Sequence, residues 1–401
     1  MTKLPTWLQP IYEQVKTEYA TLALPKADKT QIKDWDFENI ETTNTLASQE
    51  QINLNLIKEN NENVVVVCDG VITYKKLSNA FEGAIITTIE EALENHEELI
   101  KPYFGNIIPV NTNRLTALNF LNLNSGLMIY VNKNQVIEPT LHVIYLGEKR
   151  ALINHNLIIL SQGSQLRYIE SYLKSSQTIA NLNTEIVVGE NAQLDHTVME
   201  CLPEHVLTYK CTKAQVEANG RLYSSYGALN EGHMVSENFV SLIGSGASAK
   251  TKTVAIAQNK QKQNITVEVE HLAPHTVGNI MNHGISKDEA QLVFNGIGKI
   301  HKGMQGSDAQ QASRVMILSE TARADANPLL LIEEYDVTAG HAAAVGKINE
   351  EQLYYLMSRG LTRREAETLI IHGFLMPFVN DIQNETVQAE FTKLIERKIM
   401  A

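Results

Sequence analysis

Short apolar runs, small-residue turns and alternating stretches return at a nearly fixed interval between residues 150 and 250. The hexads 161–166 (SQGSQL), 189–194 (GENAQL), 217–222 (EANGRL) and 244–249 (GSGASA) begin 28, 28 and 27 residues apart. Each follows an apolar run, at 157–160, 186–188, 214–216 and 240–243. The first two lead into alternating stretches, Arg167-Tyr168-Ile169-Glu170 and Asp195-His196-Thr197-Val198. A turn between two short strands, repeated at one period, predicts the coils of a β-solenoid, which must stack because no coil covers its own apolar face. The equivalent positions Leu166, Leu194, Leu222 and Ala249 are then expected on the same side of adjacent coils. A looser fifth copy, 287–292 (KDEAQL), starts 43 residues after the fourth and reads as if an insertion intervened. The competing topology is an antiparallel meander with evenly spaced hairpins.

The patterning divides the chain into three parts. Residues 1–110 form an N-terminal helical and mixed region. There Trp7, Tyr12, Val15 and Tyr19 lie near one face of a first helix, and Trp35-Asp36-Phe37 reads as extended. The β-branched run 63–68 reads as a buried strand and 88–100 as a helix. From 111 to 345 strand patterns dominate, and apolar bursts at 127–131 and 141–145 place coils before the first hexad. Residues 346–401 switch to a helical period. Asn349, with Gln352 three positions on, opens a helix with Leu353, Leu356 and Met357 on one face, and Gly360 stops it in a left-handed conformation. Thr362 with Glu365 is a second capping box, opening a helix with Ala366, Leu369 and Ile370 inward, and a third helix covers about 385–398.

Charge narrows the setting. With 34 Lys+Arg against 46 Asp+Glu, the 401-residue chain carries a formal charge of -12, which weighs against nucleic acid or an anionic membrane as partner. The helix, Gly turn and helix around Arg359, Arg363 and Arg364 therefore read as a packing unit, not a DNA reader. Cys68, Cys201 and Cys211 are too few and scattered for a disulfide framework. No apolar stretch approaches the ~18 residues that cross a bilayer. The first residues lack the apolar core of a signal peptide, so a cytoplasmic location is expected.

Candidate chemistry is sparse. The chain has no P-loop, no dinucleotide fingerprint and no Gly-x-Ser-x-Gly elbow, and no catalytic residue is assigned. His271 and His275 have the spacing of a helical metal pair, but Pro274 breaks that helix. Together with Glu268, Glu270 and His283 they are weighed as a metal site, with polar strand edges and loops the favoured reading. Cys201 and Cys211 are read as small buried residues before soft ligands. His341 stands among the tiny residues Ala339, Gly340, Ala342 and Ala343, after the acidic Glu333, Glu334 and Asp336. Such flanks let another surface approach the imidazole. A packed histidine and a ligand both fit that pattern.

Several segments together become recognisable. Arg314-Val315-Met316, Ala322-Arg323-Ala324-Asp325-Ala326-Asn327-Pro328, Asp336-Val337-Thr338-Ala339-Gly340-His341, Leu353-Tyr354-Tyr355-Leu356-Met357-Ser358-Arg359-Gly360 and Gly373-Phe374 closely resemble the SufB/SufD family. That family is the scaffold of the SUF iron–sulfur cluster assembly system. Leu115-Thr116-Ala117-Leu118-Asn119-Phe120 and Trp35-Asp36-Phe37 resemble its SufD branch. The resemblance implies a mainly β fold, a right-handed parallel β-helix core between N- and C-terminal helical regions. It implies a heterodimer with SufB near the ends of the two β-helices, the SufC ATPase docked on the C-terminal helices, and a homodimer in isolation. The partner-interface residues it implies are Ala339, Gly340, His341, Leu353, Tyr354, Leu356, Arg359 and Gly360. A histidine at the position of His341 lies where the nascent cluster is thought to form with a SufB cysteine, so His341 is the candidate metal ligand. Some relatives carry Cys-Ser-His where this chain has Ala339-Gly340-His341, so no thiolate from this subunit ligates there. The cluster so implied is transient and shared with SufB, and a flavin, proposed for related complexes, is left open. Beside the scaffold stand two other readings, a β-helix enzyme acting on polysaccharides and a homodimeric structural protein without a cluster role.

Overall fold

The computed structural model describes residues 4–40, 62–149, 151–380 and 385–400. Residues 1–3 of the N-terminus read above, and 41–61 of the N-terminal region, lie outside them. The repeat folds into strands that alternate between two sheets. One holds β5 (Val136–Gly147), β7 (Gln165–Ser175), β9 (Gln193–Glu200), β11 (Arg221–Ala228), β13 (Ser248–Ala257), β15 (Val277–Ser286), β17 (Asp308–Ile317) and β19 (Thr338–Lys347). The other holds β4 (Leu127–Val131), β6 (Leu152–Leu160), β8 (Ile179–Val188), β10 (Leu207–Val216), β12 (Met234–Leu242), β14 (Lys262–His271), β16 (Gln291–Ile300) and β18 (Arg323–Ile332). From β4 onward each strand pairs in parallel with the strand two positions on, so the topology is a parallel β-solenoid and the meander is excluded.

The predicted in-register ladder is present. Leu166 pairs with Leu194, Leu194 with Leu222, and Leu222 with Ala249. The same row begins at Ile137 and continues through Gly278 and Ala309 to Ala339. Its side chains are buried from Ile137 to Ala309 and dwindle from Ile and Leu to Ala and Gly toward the C-terminal end.

One edge of the solenoid is a column of turns, each with one residue in the left-handed region: Asn134, Gly163, Asn191, Asn219, Gly246, His275 and Gly306. The backbone N–H of each donates to a carbonyl of the following coil, at Gln162, Glu190, Ala218, Ser245, Pro274, Gln305 and Asp336. Gly and Asn recur there because that region costs other residues about 1–2 kcal/mol. Two expectations are corrected. The fifth turn of the hexad series is not 287–292 but the turn carrying His275, which escapes a search for glycine, and no insertion intervenes. Residues 287–292 form a turn on the opposite edge, between β15 and β16, where Asp288 takes the left-handed conformation.

The two ends differ. At the N-terminal end β1 (Val64–Cys68) lies between β5 and β2 (Val71–Lys76), while β3 (Ile85–Thr88) pairs antiparallel with β4. The expected strand at 63–68 is therefore real and buried, and it belongs to the solenoid's first coil, across the boundary drawn at residue 110. Val15 of helix α1 (Gln9–Glu18) shares one buried cluster with Ile89 and Leu93 of α2 (Ile89–Asn95). The helix expected over 88–100 breaks at His96, and α3 (Glu97–Ile100) follows. Helix α4 (Arg114–Asn122) is capped by Asn113 and covers Tyr209, Cys211 and Val235 through Leu115 and Leu118. Trp35-Asp36-Phe37 is a turn, not an extended segment. Its Trp35 stacks on His233 at 5.0 Å, and Phe37 is buried. Nearby, Lys29 reaches Asp325 (2.8 Å) and Asn327 (2.6 Å) on β18, tying the N-terminal segment to the last coil.

Helices α5 (Glu350–Ser358), α6 (Arg363–Val379) and α7 (Glu385–Met400) fold back along the outside of the odd-numbered sheet. Ile371, Leu375, Phe391 and Ile395 cover Ile169, Met199, Val254 and Ile285. The Lys398 ammonium is buried and donates to the carbonyls of Leu229 (2.9 Å), Asn230 (2.6 Å) and Ile256 (3.1 Å), and burial lowers its pKa to about 8. No helix among the described residues is long and apolar enough to cross a membrane.

The solenoid interior is not wholly apolar. Glu170, His196, Glu200 and Lys210 are all buried inside it. Lys210 Nζ lies 3.3 Å from Glu170 and 3.7 Å from Glu200, and His196 Nε2 lies 3.6 Å from Glu170. Burial pushes the Glu170 carboxyl up, but Lys210 and His196 outweigh it and hold it at about 2. Burial raises Glu200, against the pull of Lys210.

These arrangements fix three expected outcomes. Leu194→Ala should cost about 2–5 kcal/mol in urea unfolding, because it opens a cavity in the stacked row. Lys210→Met should cost about 3–5 kcal/mol at neutral pH by stranding buried carboxylates. His142 and His271 are held neutral by burial, at about 3 and about 4 against an ordinary 6.5. The unfolded chain binds more protons than the folded one between those values, so stability should fall as pH is lowered from about 6.5 to about 4. His142→Gln should flatten that slope. A pH-independent midpoint across this window contradicts the assignment.

Candidate functional site at the open end of the solenoid

Strands β18 and β19 form the last coil, and among the described residues no further coil covers them. On β19 the residues Ala339, His341, Ala343 and Val345 pair with Ala309, Gln311, Ser313 and Val315, all buried and facing inward. His341 therefore occupies an interior row and is exposed only because the stack ends there. Thr338 donates back to Ser307 (3.0 Å), so in parallel pairing the even-numbered residues of β19 bond to β17. The N–H and C=O groups of Ala339, His341, Ala343 and Val345 then line the free edge, and their neighbours Gly340, Ala342 and Ala344 let a second strand approach closely. On β18 the odd-numbered Arg323 and Glu333 donate back to Ala290 and Ile300. Pro328, which has no N–H, thus falls on the free side of an edge strand, where a missing donor disrupts no ladder.

The acidic group before His341 serves the turn. Glu334 accepts from the backbone N–H of Gly303 (2.7 Å) and of Tyr335 (2.8 Å), and these bonds hold its carboxyl below the usual range. Asp336 supplies its backbone carbonyl to Gly306, and Glu333 lies 4.0 Å from His301. Among the described residues no hydrogen bond or ion pair ties any of the three to the His341 ring, and no group of three or more His, Cys, Asp or Glu could hold a metal ion.

The other metal candidates are separated. His271 points inside the solenoid, with Nδ1 2.8 Å from Thr276 Oγ1, and His275 is the left-handed turn residue. His283 stacks on Phe374 at 5.0 Å. Glu270 accepts from Lys299 (2.8 Å) and His301 (2.6 Å). Cys211 is buried beneath α4, and Cys201 lies against the C-terminal helices with its thiol pushed up to about 12 by burial. Both behave as small packed residues, as the sequence favoured.

In the helical hairpin the caps are as expected. Asn349 Oδ1 accepts from Glu351 and Gln352, Thr362 and Glu365 bond reciprocally, and Gly360 has a φ of +99°. Leu353 is buried with Ile348 and Ala366 beside Met316 and Leu318, which seats the hairpin next to the last coils, and Leu356 is partly buried there. Met357 and Leu369, expected inward, are instead exposed, and Ile371 takes the inward place. Together with Tyr354 (76% exposed) and Tyr355 (57%), they leave an apolar outer face. Arg359 lies over the Tyr355 ring at 5.2 Å.

Sequence inspection missed the interior charges Glu170, Glu200 and Lys210. Their signal was available: Leu166, Tyr168, Glu170 and Tyr172 alternate on one face of β7, so once Leu166 is placed inward Glu170 must follow. Because the His341 ring is exposed where the stack ends, His341→Ala should leave the urea midpoint of the isolated chain within about 0.5 kcal/mol of wild type. A larger loss would make the ring a structural element.

Comparison with known proteins supplies the context. The family model described as "SUF system FeS cluster assembly, SufBD core domain" matches residues 143–374, and "SufBD protein N-terminal region" matches 24–143. The division between these two matches falls inside β5. The chain is 36% identical over 413 residues to the iron–sulfur cluster assembly protein SufD of Bacillus subtilis, covering 98% of this chain and 94% of that protein. It is 28% identical over 332 residues to iron–sulfur cluster assembly SufBD family proteins of Staphylococcus haemolyticus and Staphylococcus aureus, covering 81% of this chain and 71% of each relative.

Proposed function

This chain belongs to the SufB/SufD family of iron–sulfur cluster assembly proteins, on its SufD side, and from that premise we propose that it is a cytoplasmic scaffold subunit whose open solenoid end pairs with SufB. The observation that carries the reading is the last coil, with an interior row turned out to solvent and His341 in it. A second solenoid placed end to end would cover Ala343 and Val345, pair with the free edge of β19, and enclose the imidazole in the seam. Neutral imidazole is a borderline ligand for iron, and one nitrogen among thiolates and sulfide leaves a cluster easier to hand on. This subunit offers Ala339 two residues before the ring, so sulfur ligands come from the partner or from sulfide. The cluster is cargo, held transiently at the junction.

The outer face of the hairpin, with Tyr354, Tyr355, Met357 and Leu369, is the proposed seat of the SufC ATPase. Arg359 and Gly360 shape its end, and Leu353 supports it from within. Removing the whole tail is a poor test, because α6 and α7 cover Ile169, Met199 and Val254 and their loss would expose core. Tyr354→Ala with Leu369→Ala changes exposed residues alone. That variant should keep the wild-type circular dichroism and lose at least tenfold in affinity for SufC. Unchanged affinity would move the ATPase elsewhere. In anaerobic reconstitution with SufB and SufC, His341→Ala should retain the complex on a sizing column and form less cluster by absorbance. Val345→Asp should break the SufB contact itself. A wild-type cluster yield with His341→Ala would remove the ligand role, and a homodimer unaffected by added SufB would replace the heterodimer.

A further inference from the structure

The outer face of the odd-numbered sheet carries a groove that neither the proposed junction nor the hairpin face uses. Residues next to the inward ladder of Leu166, Leu194, Leu222 and Ala249 point outward. They align as Arg167, Asp195, Tyr223 and Lys250 on β7, β9, β11 and β13. The next outward row is Ile169, Thr197, Ser225 and Lys252. Thr197 and Ser225 are its short side chains, and the two rows line a groove of about 310 Å³. Beyond the second row the C-terminal helices close over the sheet, with Phe391 of α7 above Gly227, where a Cβ would collide with its ring. At the Arg167 end β5 bulges: residues 138–140 stand opposite the single Arg167, and Thr140 joins the lining. The groove is separate from the open end, since β13 lies three strands from β19, ~14 Å at ~4.8 Å each.

Its charge is the reverse of the chain's. The chain carries -12, yet among the described residues the groove is lined by Arg167, Lys250 and Lys252 against one carboxylate, Asp195. That carboxylate is already engaged, by Gln193 Nε2 at 3.2 Å and by Arg167 Nε at 3.7 Å. Arg167 Nη1 also donates to the Glu138 carbonyl of the bulge at 3.1 Å, so this end of the groove is held in place. At the other end donors predominate. Among the described residues no hydrogen bond or ion pair engages Lys250 Nζ or the hydroxyls of Thr197, Tyr223 and Ser225. Burial and the like charge of Lys250 lower the pKa of Lys252, and an anion beside the two ammonium groups would offset their repulsion.

We infer that this groove binds a sugar phosphate. Lys250 and Lys252 hold the phosphate, and the hydroxyls of Tyr223 and Ser225 on the adjacent β11 donate to its oxygens. A bare phosphate fills only that end, because the groove crosses four strands, ~14 Å. The remainder is lined by Thr197, Gln193, Asp195, Arg167 and Thr140. There Asp195 accepts from sugar hydroxyls and repels a second anionic group, which sets a sugar phosphate apart from a dicarboxylate. The Tyr223 ring and Ile169 give the sugar an apolar surface to lie on. A volume near 300 Å³ is at the small end of ligand pockets and suits a pentose or hexose monophosphate.

Isothermal titration of the full chain with ribose 5-phosphate tests this without partner or cluster, so its failure leaves the scaffold reading standing. Saturable binding is expected that weakens as salt is added, with no binding of ribose and at least tenfold weaker binding of inorganic phosphate. Lys250→Gln and Ser225→Val should each weaken ribose 5-phosphate at least tenfold with unchanged circular dichroism. Should Ser225→Val fail to fold, Lys250→Gln, a change at an exposed side chain, decides alone. Asp195→Ala should weaken ribose 5-phosphate but not inorganic phosphate. Adenosine monophosphate is the second arm: tighter binding than ribose 5-phosphate assigns the sugar phosphate to a nucleotide, and weaker binding assigns it to a free sugar. No saturable binding of either ester, inorganic phosphate bound as tightly as the esters, or wild-type affinity in Lys250→Gln would each overturn the proposal.

Discussion

A parallel coil cannot satisfy its own backbone or bury its own apolar row, so every coil depends on the next one. That dependence sets the architecture. It holds the turns in a column whose left-handed residues bond forward from coil to coil, and it makes the ends of the stack unlike its middle. At the N-terminal end β1 to β3 and the first helices meet the demand. At the C-terminal end nothing in the described chain meets it, and a row that is interior everywhere else becomes surface at Ala339, His341, Ala343 and Val345. The candidate site is thus a consequence of where the stack stops.

The same logic explains what the sequence disclosed and what it hid. The ladder of Leu166, Leu194, Leu222 and Ala249 was legible because its period survives in the turns, where Gly and Asn are needed to reach a positive φ. The turn at His275 was hidden because histidine took the left-handed conformation, with its N–H bonded to Gln305. The helix caps at Asn349 and Thr362 were legible because capping is local chemistry. The orientation of Leu369 and Met357 was not, since which face of a helix is buried depends on the sheet it meets and not on its own period. For the site, the small residues around His341 suggested an exposed ring, but only the register with Gln311 shows that the exposure is an interior row left open. The charged interior was missed because charge was read as surface before the alternation on β7 had been followed through.

The C-terminal helices join the flank of the solenoid to its open end. They lie on the outer face of the odd-numbered sheet, whose last strand carries His341, and Lys398 fixes them to three carbonyls of neighbouring coils. The hairpin core touches Met316 and Leu318 at the end of β17, the strand paired with β19. A force applied to the exposed aromatic face of the hairpin would therefore meet the last two coils first. In the proposed complex this contiguity would carry a load on the hairpin to β17 and β19.

The claim on which the rest depends is that the free edge of β19 is completed by another solenoid. Hydrogen–deuterium exchange of the peptide covering residues 338–347, measured with and without SufB, tests it most directly. Completion of the sheet should slow exchange of the Ala339, His341, Ala343 and Val345 amides by at least a hundredfold while β9 and β11 stay unchanged. Exchange of that peptide at the same rate in a SufB complex that demonstrably forms would contradict it.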